Sequence, residues 1–225
     1  MEPKQLHSWS VTAAEAREIQ EQLRGRVITG NEVGRVQLVA GLDISGVRRD
    51  GTATGAAVVL SYPELEVVEV QTAEMKVTFP YVPGLLSFRE IPVVLAAWEK
   101  LKAEPDLVFV DGQGMAHPRR MGIACHLGLL LDKPTIGCAK SRLIGDCRMP
   151  GVEVGRYCDL TDGSDVIGAV LRTEYGVKPL FVSIGNKIDL QGAIEWCLKC
   201  CRGYRLPEPA RLAHQAASGT LLGTL

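Results

Sequence analysis

Residues 107–112 read LVFVDG. Four apolar residues in a row, with no polar alternation, describe a strand covered on both faces, and the Asp-Gly that follows turns the chain at its end. Upstream, VQLVAGLD at 36–43, GAAVVLSY at 55–62 and LEVVEVQTAEMKVTF at 65–79 read as three strands. Their connections are short and no helix separates them, so antiparallel pairing is the economical arrangement. Between the two regions, residues 91–101 place Ile91, Val94, Leu95, Trp98 and Leu101 on one helical face. Downstream, 119–131 reads as a largely apolar helix and PTIG at 134–137 as a short strand. VIGAVLRT at 166–173 and LFVSIG at 180–185 supply two more strands, and the last helix runs from about Asp189 to Arg202. Residues 12–25 read as a polar, exposed helix ending near Gly25. Three antiparallel strands followed by alternating helix–strand units predict an α/β fold: a mixed sheet with helices on both faces.

This order of elements resembles the RNase H architecture. No repeat, low-complexity tract or internal linker interrupts it, so one domain over 1–225 is expected, with its core at about 36–214. At 225 residues, 46% hydrophobic and 23% charged, the composition is that of a globular chain that needs no staples. No apolar run is long enough to span a bilayer, and MEPKQLHSWS lacks the apolar stretch of a signal peptide. Seven cysteines, an odd count, fit a reduced cytoplasmic protein. Cys197, Cys200 and Cys201 in AIEWCLKCC look like a metal cluster, but no second pair of ligands stands at finger-like spacing. They read better as small apolar groups under a helix. The net charge of −1 does not announce a nucleic-acid binder, so any such surface must be built from local basic patches.

Three carboxylates carry the chemistry. Asp43 follows LVAGL, and Asp111 follows LVFV. In an α/β sheet, residues just past the carboxyl ends of parallel strands line the ligand crevice, although an Asp there also simply turns a chain. Glu90 closes SFRE at 87–90, which matches a capping box with Ser87 as N-cap and Glu90 at N3. Pro92 argues against that box, because it would be the fifth helical residue. A helix that starts nearer Glu90 leaves its carboxylate to point into a site. Three gathered carboxylates repel one another unless a cation joins them, and Mg²⁺ suits oxygen ligands. No Walker loop is present, which excludes the usual phosphate cradle of an NTPase. His117, Arg119 and Arg120 in AHPRR, and Lys140 and Arg142 in AKSR, place basic residues on loops beside the acids, which suits a polyanion substrate but equally describes a pair of solvated loops. His126 reads as a core histidine. PYVPG at 80–84 is a loop stiffened by Pro80 and Pro83, able to hold Tyr81 and Val82 out as a wedge or to pack Tyr81 over the core.

VAGLDIS around Asp43, PYVPGLLSFRE, LVFVDGQGMAHPRRMGIACHLG, PTIGCAKSRLIG and GYRLPEPARLAH together resemble the endonuclease V family. The resemblance covers roughly residues 36–214. It implies a Mg²⁺-dependent nuclease, with Mn²⁺ as a second candidate, that recognises deoxyinosine in DNA. Such an enzyme nicks that strand at the second phosphodiester 3′ to the lesion and leaves a 5′-phosphate. It implies Asp43 and Asp111 as metal ligands and Glu90, Lys140 and His214 as further catalytic residues. Pro80, Tyr81, Val82, Pro83, His117, Arg119 and Arg142 would meet DNA, and Gly84, Leu86, Gly112, Gly122 and Ile123 would form the base pocket. Inosine-containing RNA is the alternative substrate, and a lesion-binding protein that does not cut is the alternative activity. A monomer with no membrane partner is expected. One departure is Asn186 in IGNKIDL, where the family carries His.

Overall fold

A computed structural model describes residues 2–221. The expected polar helix is α1 (Ala13–Arg24). Thr12 caps it in a full capping box with Glu15, which satisfies the first free backbone N–H groups. The helix is not wholly exposed: Ala16, Gln20 and Leu23 are buried. β1 (Leu38–Ile44), β2 (Thr52–Ser61) and β3 (Val67–Lys76) pair antiparallel in sequence. After α2 (Leu86–Trp98), β4 (Leu107–Val110) returns parallel to β1, with Gly41 beside Phe109. Beyond α3 (Ile123–Leu131), β5 (Thr135–Ala139) lies parallel to β4. The rest is antiparallel: β6 (Asp146–Cys147), β7 (Tyr157–Asp162), β8 (Asp165–Leu171) and β9 (Leu180–Asn186), with β9 beside β5. Among the described residues nine strands form one sheet in the order β3-β2-β1-β4-β5-β9-β8-β7-β6, and α4 (Leu190–Lys199) and α5 (Glu208–Ala217) follow it. This is the RNase H-like mixed sheet that the element order predicts.

Alternation along each strand divides the core. Val39, Val58 and Phe109 join the layer under α4 and α5, whereas Ala40, Leu42, Val59, Val108 and Val110 face α2 and α3. Each large apolar side chain buried there contributes roughly 1.5–3 kcal/mol. α5 reaches β1 because residue 41 is glycine: a Cβ there would stand 1.9 Å from the Pro209 carbonyl oxygen. That close approach carries His214 to the end of β1.

Several readings are corrected. The last helix does not run to Arg202; α4 ends at Lys199, and α5 follows after a non-helical stretch that ends at its N-cap, Pro207. The β6–β7 hairpin was not anticipated, because only Leu160 of β7 is buried and no apolar alternation marks it. α2 starts neither with a Ser87 cap nor near Glu90. Its N-cap is Leu85, no side chain caps it, and Pro92 lies inside the helix. Pro92 has no N–H to return to the Phe88 carbonyl, yet the packing of Ile91, Val94 and Trp98 keeps the helix continuous.

Candidate active site

The carboxyl ends of β1, β4 and β5 lie side by side, which brings Asp43, Asp111 and Lys140 together. His214 joins them from α5: its Nδ1 is 2.7 Å from Asp43 Oδ2 and 4.0 Å from Asp111 Oδ2. Lys140 Nζ donates to Asp111 Oδ2 at 2.5 Å and stands 3.5 Å from His214 Nδ1. Asp43 is buried while the His214 ring is half exposed, so the cluster opens to solvent on the α5 side. Burial, then the neighbouring Asp111 carboxylate, pushes the Asp43 carboxyl up to about 6. Glu90, from α2, is pushed up to about 8 by burial first and then by Asp43 and Asp111. It shares a narrow crevice with both aspartates, lined by Leu42, Val94, Val110 and Leu127. Arg205, which sequence reasoning passed over, donates to the Lys140 carbonyl and, at 2.6 Å, to the Pro179 carbonyl, and so fixes the backbone that presents Lys140.

A divalent cation fits this donor set. Asp43, Asp111 and His214 offer ligand atoms within 4.8 Å of one another, and Glu90 stands behind that trio. Two carboxylates held this close need positive charge beside them, which the Lys140 ammonium supplies in part through its pair with Asp111. The cysteines, by contrast, are packed groups. Cys197 and Cys200 are fully buried, and Cys138 Sγ lies 3.7 Å from Cys197 Sγ.

Beside the acids opens a pocket of about 410 Å³. Tyr81, Val82, Pro83, Gly84 and Leu86 line one wall, and Gly112, Gly122 and Ile123 the other, with Asp111, Lys140 and Arg142 at the mouth. All five residues expected to hold a base therefore meet in one cavity. Ser87 Oγ and Gln113 Oε1 belong to the same lining residues and are buried without a hydrogen-bond partner. Tyr81 is 73% exposed, so it does not cover the core. The loop is held from below by Phe79, Leu85 and Phe88, which pack on Ala16 of α1, and by Arg89, which donates to the Phe79 carbonyl at 2.6 Å.

His117 is the clearest surprise. It is buried, its Nε2 lies 2.9 Å from the Gly84 carbonyl oxygen, and burial pulls its imidazole down to about 4. A neutral, buried ring braces the pocket wall and offers no charge to a phosphate. Arg119 also turns inward, to Gly84 and Gln20, while Arg120 pairs with Asp162 at 2.9 Å. Arg142 remains exposed and pairs loosely with Asp146 at 3.6 Å. Asn186 is buried away from this site. Its Oδ1 accepts from the Ile28 N–H and its Nδ2 donates to the Gly128 carbonyl, so it ties the N-terminal segment to α3. His126 is fully buried against His7, Trp9 and Phe88, as a core histidine.

An RNase H-like sheet that gathers carboxylates at the ends of adjacent parallel strands defines a class: nucleases, hydrolases of phosphodiester bonds. Within that class the comparisons are specific. The family model of Endonuclease V matches residues 21–215. The Endonuclease V of Dehalococcoides mccartyi is 52% identical over 215 residues, covering 96% of either chain. The crystal structure of Endonuclease V from Streptomyces avermitilis superposes with a TM-score of 0.89 at 44% identity, covering 95% of both chains. A Ciona intestinalis Endonuclease V, in complex with a 24mer DNA containing an inosine followed by a ribo-adenosine, superposes with a TM-score of 0.81 at 33% identity. That match covers 92% of this chain and 96% of the other. The chain belongs to the Endonuclease V family.

Proposed function

We propose that this nuclease cuts DNA at deoxyinosine, the deamination product of deoxyadenosine, and nicks the same strand at the second phosphodiester 3′ to the lesion. The observation that carries the reading is the meeting of pocket and acids: the Gly84–Gly122 cavity opens directly onto Asp111 and Lys140. A flipped base in that cavity leaves its own strand running past the carboxylates. Asp43 and Asp111 would hold the metal, Mg²⁺ by the hardness of their oxygens, with Mn²⁺ as the second choice. A cation held there would neutralise the paired carboxylates and supply Lewis-acid chemistry to a phosphodiester.

The protein's own groups do the rest. Lys140 reaches the phosphate mouth and offsets charge that grows there during displacement. His214 has its Nδ1 engaged by Asp43 and its ring half exposed, which leaves Nε2 to carry a proton to or from a reacting oxygen. Tyr81 projects from a loop anchored at its root, the geometry of a wedge that fills the gap left by a flipped nucleotide. The glycine-lined walls keep backbone close to the base edge. Inosine-containing RNA is the second reading, favoured by the ribo-adenosine that follows inosine in the DNA bound to the Ciona relative.

Cleavage of matched inosine-containing DNA and RNA strands, with and without Mg²⁺, tests the reading. Mg²⁺-dependent nicking of the DNA at the second 3′ phosphodiester is expected, and nicking confined to RNA would reverse the substrate. Tyr81→Ala should weaken binding to inosine in a duplex by about 1–3 kcal/mol, the scale of one base–aromatic stack, and weaken single-strand binding much less. A large drop in melting temperature with equal loss on both substrates would make Tyr81 a packing residue instead.

A further inference from the structure

We infer that Gln20 sets the width of the base pocket, and with it the choice between bases, by clamping the two pocket walls through one buried amide. The inference rests on the reading that this pocket takes a hypoxanthine base.

Gln20 belongs to α1, one residue before the stretch that the family model matches, yet it is only 1% exposed and lines the pocket. Its Nε2 donates to the Gly84 carbonyl at 3.1 Å and to the Met121 carbonyl at 3.1 Å. Gly84 opens one wall, and Met121 directly precedes Gly122 and Ile123 in the other. Its Oε1 accepts from Arg119 Nε at 2.6 Å, and Arg119 Nη2 in turn donates to the Gly84 carbonyl at 2.7 Å. Two carbonyls around the nitrogen and a guanidinium N–H at the oxygen leave the amide one satisfied orientation. Reversing it would set oxygen against oxygen at both walls.

The walls are tight on their own side as well. Gly84 has φ +77°, which favours glycine, and a Cβ there would stand 2.8 Å from Arg119 Nη2, so a side chain at this wall would displace the guanidinium that holds Gln20. α1 is fixed in turn, because Ala16 and Ile19 pack with Phe79, Leu85 and Phe88 beneath the loop. Hypoxanthine differs from guanine only by lacking the exocyclic amino group. A pocket excludes that group only if its walls keep their spacing, and one small group is worth roughly 10–200-fold in discrimination. Gln20 touches both walls and makes no contact with Asp43, Asp111 or Lys140 among the described hydrogen bonds, so it acts as a positioning residue.

The test is Gln20→Met in the full chain, which keeps the length of the side chain and removes every hydrogen bond. Wild type and variant are compared on duplexes with inosine or guanine at one position, by kcat, KM and melting temperature. The inosine-over-guanine preference should fall by about tenfold or more, with inosine KM rising and kcat changing less. An unchanged preference, whatever the melting temperature does, would overturn the clamp and leave Gln20 a packing residue. Should the variant fail to fold, Arg119→Lys leaves Gln20 in place and removes the guanidinium donors to Gln20 Oε1 and to the Gly84 carbonyl. The same fall is expected there, and an unchanged preference overturns the inference equally. A wild-type protein that cuts neither duplex would overturn the inosine reading itself. A wild type that prefers inosine beside a variant that prefers it equally would overturn only the clamp.

Discussion

Two clusters in this molecule are made of residue types that bind metals, and they lie in opposite environments. Asp43 and Asp111 at strand ends meet His214 of α5, with like charges close together, a lysine paired with Asp111 and a half-exposed imidazole. Cys138, Cys197 and Cys200 meet under α4 in a dry layer with Val182, Ile188 and Ile194. Burial pushes the Cys200 thiol up to about 12 and the Cys197 thiol well above its usual range, so both stay protonated and behave as small apolar groups. In the acid cluster, burial and mutual repulsion also push Asp43 and Glu90 up, but solvent on one side and a neighbouring cation leave charge to be used. Residue type alone does not make a site. Access and unbalanced charge do.

The largest effect expected from this contrast is on turnover. Asp111→Ala should lower cleavage by on the order of 10³-fold or more, about 4 kcal/mol of barrier, without loss of fold. Cys197→Ala should leave turnover unchanged and cost about 1–2 kcal/mol of stability through the small void it opens. Turnover by Asp111→Ala within about tenfold of wild type would erase the distinction between the clusters.

How far this contrast is legible from sequence differs between its parts. Asp43 and Asp111 stand out because each ends a short apolar run, a pattern typical of a strand buried on both faces and too short for most helices. The cysteines read correctly as packing because their helix periodicity puts Ala193, Cys197 and Cys200 on one buried face. α5 was hidden: its buried face is mostly alanine, which carries little apolar contrast, and so His214 came from resemblance and not from pattern. The inward turn of His117 and Arg119 depends on Gly84 and Gln20, partners up to 99 residues away. AHPRR carries no local sign of that. Ser87 and Glu90 matched a capping box that was never formed, because packing of Leu85 and Phe88 beneath the loop set the start of the helix instead.

A second, smaller effect sharpens the charged side of the comparison. Lys140→Ala should lower kcat by about 10²-fold while binding of uncut inosine DNA weakens far less, since a charge near the reacting phosphate acts mainly on the transition state. Equal losses in both quantities would make Lys140 a backbone-positioning contact.

The smallest effect is on stability and has a definite sign. In metal-free protein, folded Glu90 holds its proton up to about 8, whereas the unfolded chain releases it near its usual value. The folded state therefore binds more protons between roughly pH 4.5 and 8, and Glu90's contribution makes the protein less stable as pH rises through that window. Glu90→Gln does not titrate. Its stability advantage over wild type should grow from pH 5 to pH 8 by about 1–3 kcal/mol, read by denaturant titration at each pH. An advantage that is flat with pH would mean that Glu90 is already ionised and solvated.

The most direct measurement of the central claim is thermal unfolding during a Mg²⁺ titration of wild type, Cys197→Ala, Asp43→Ala and Asp111→Ala. An ion that binds only the folded protein raises the melting temperature, and the rise continues with the logarithm of ion concentration above Kd. If the charged cluster is the metal centre, wild type and Cys197→Ala rise together with Mg²⁺, and both aspartate variants stay flat. A rise in the aspartate variants equal to that of wild type, or its loss in Cys197→Ala, would contradict the account.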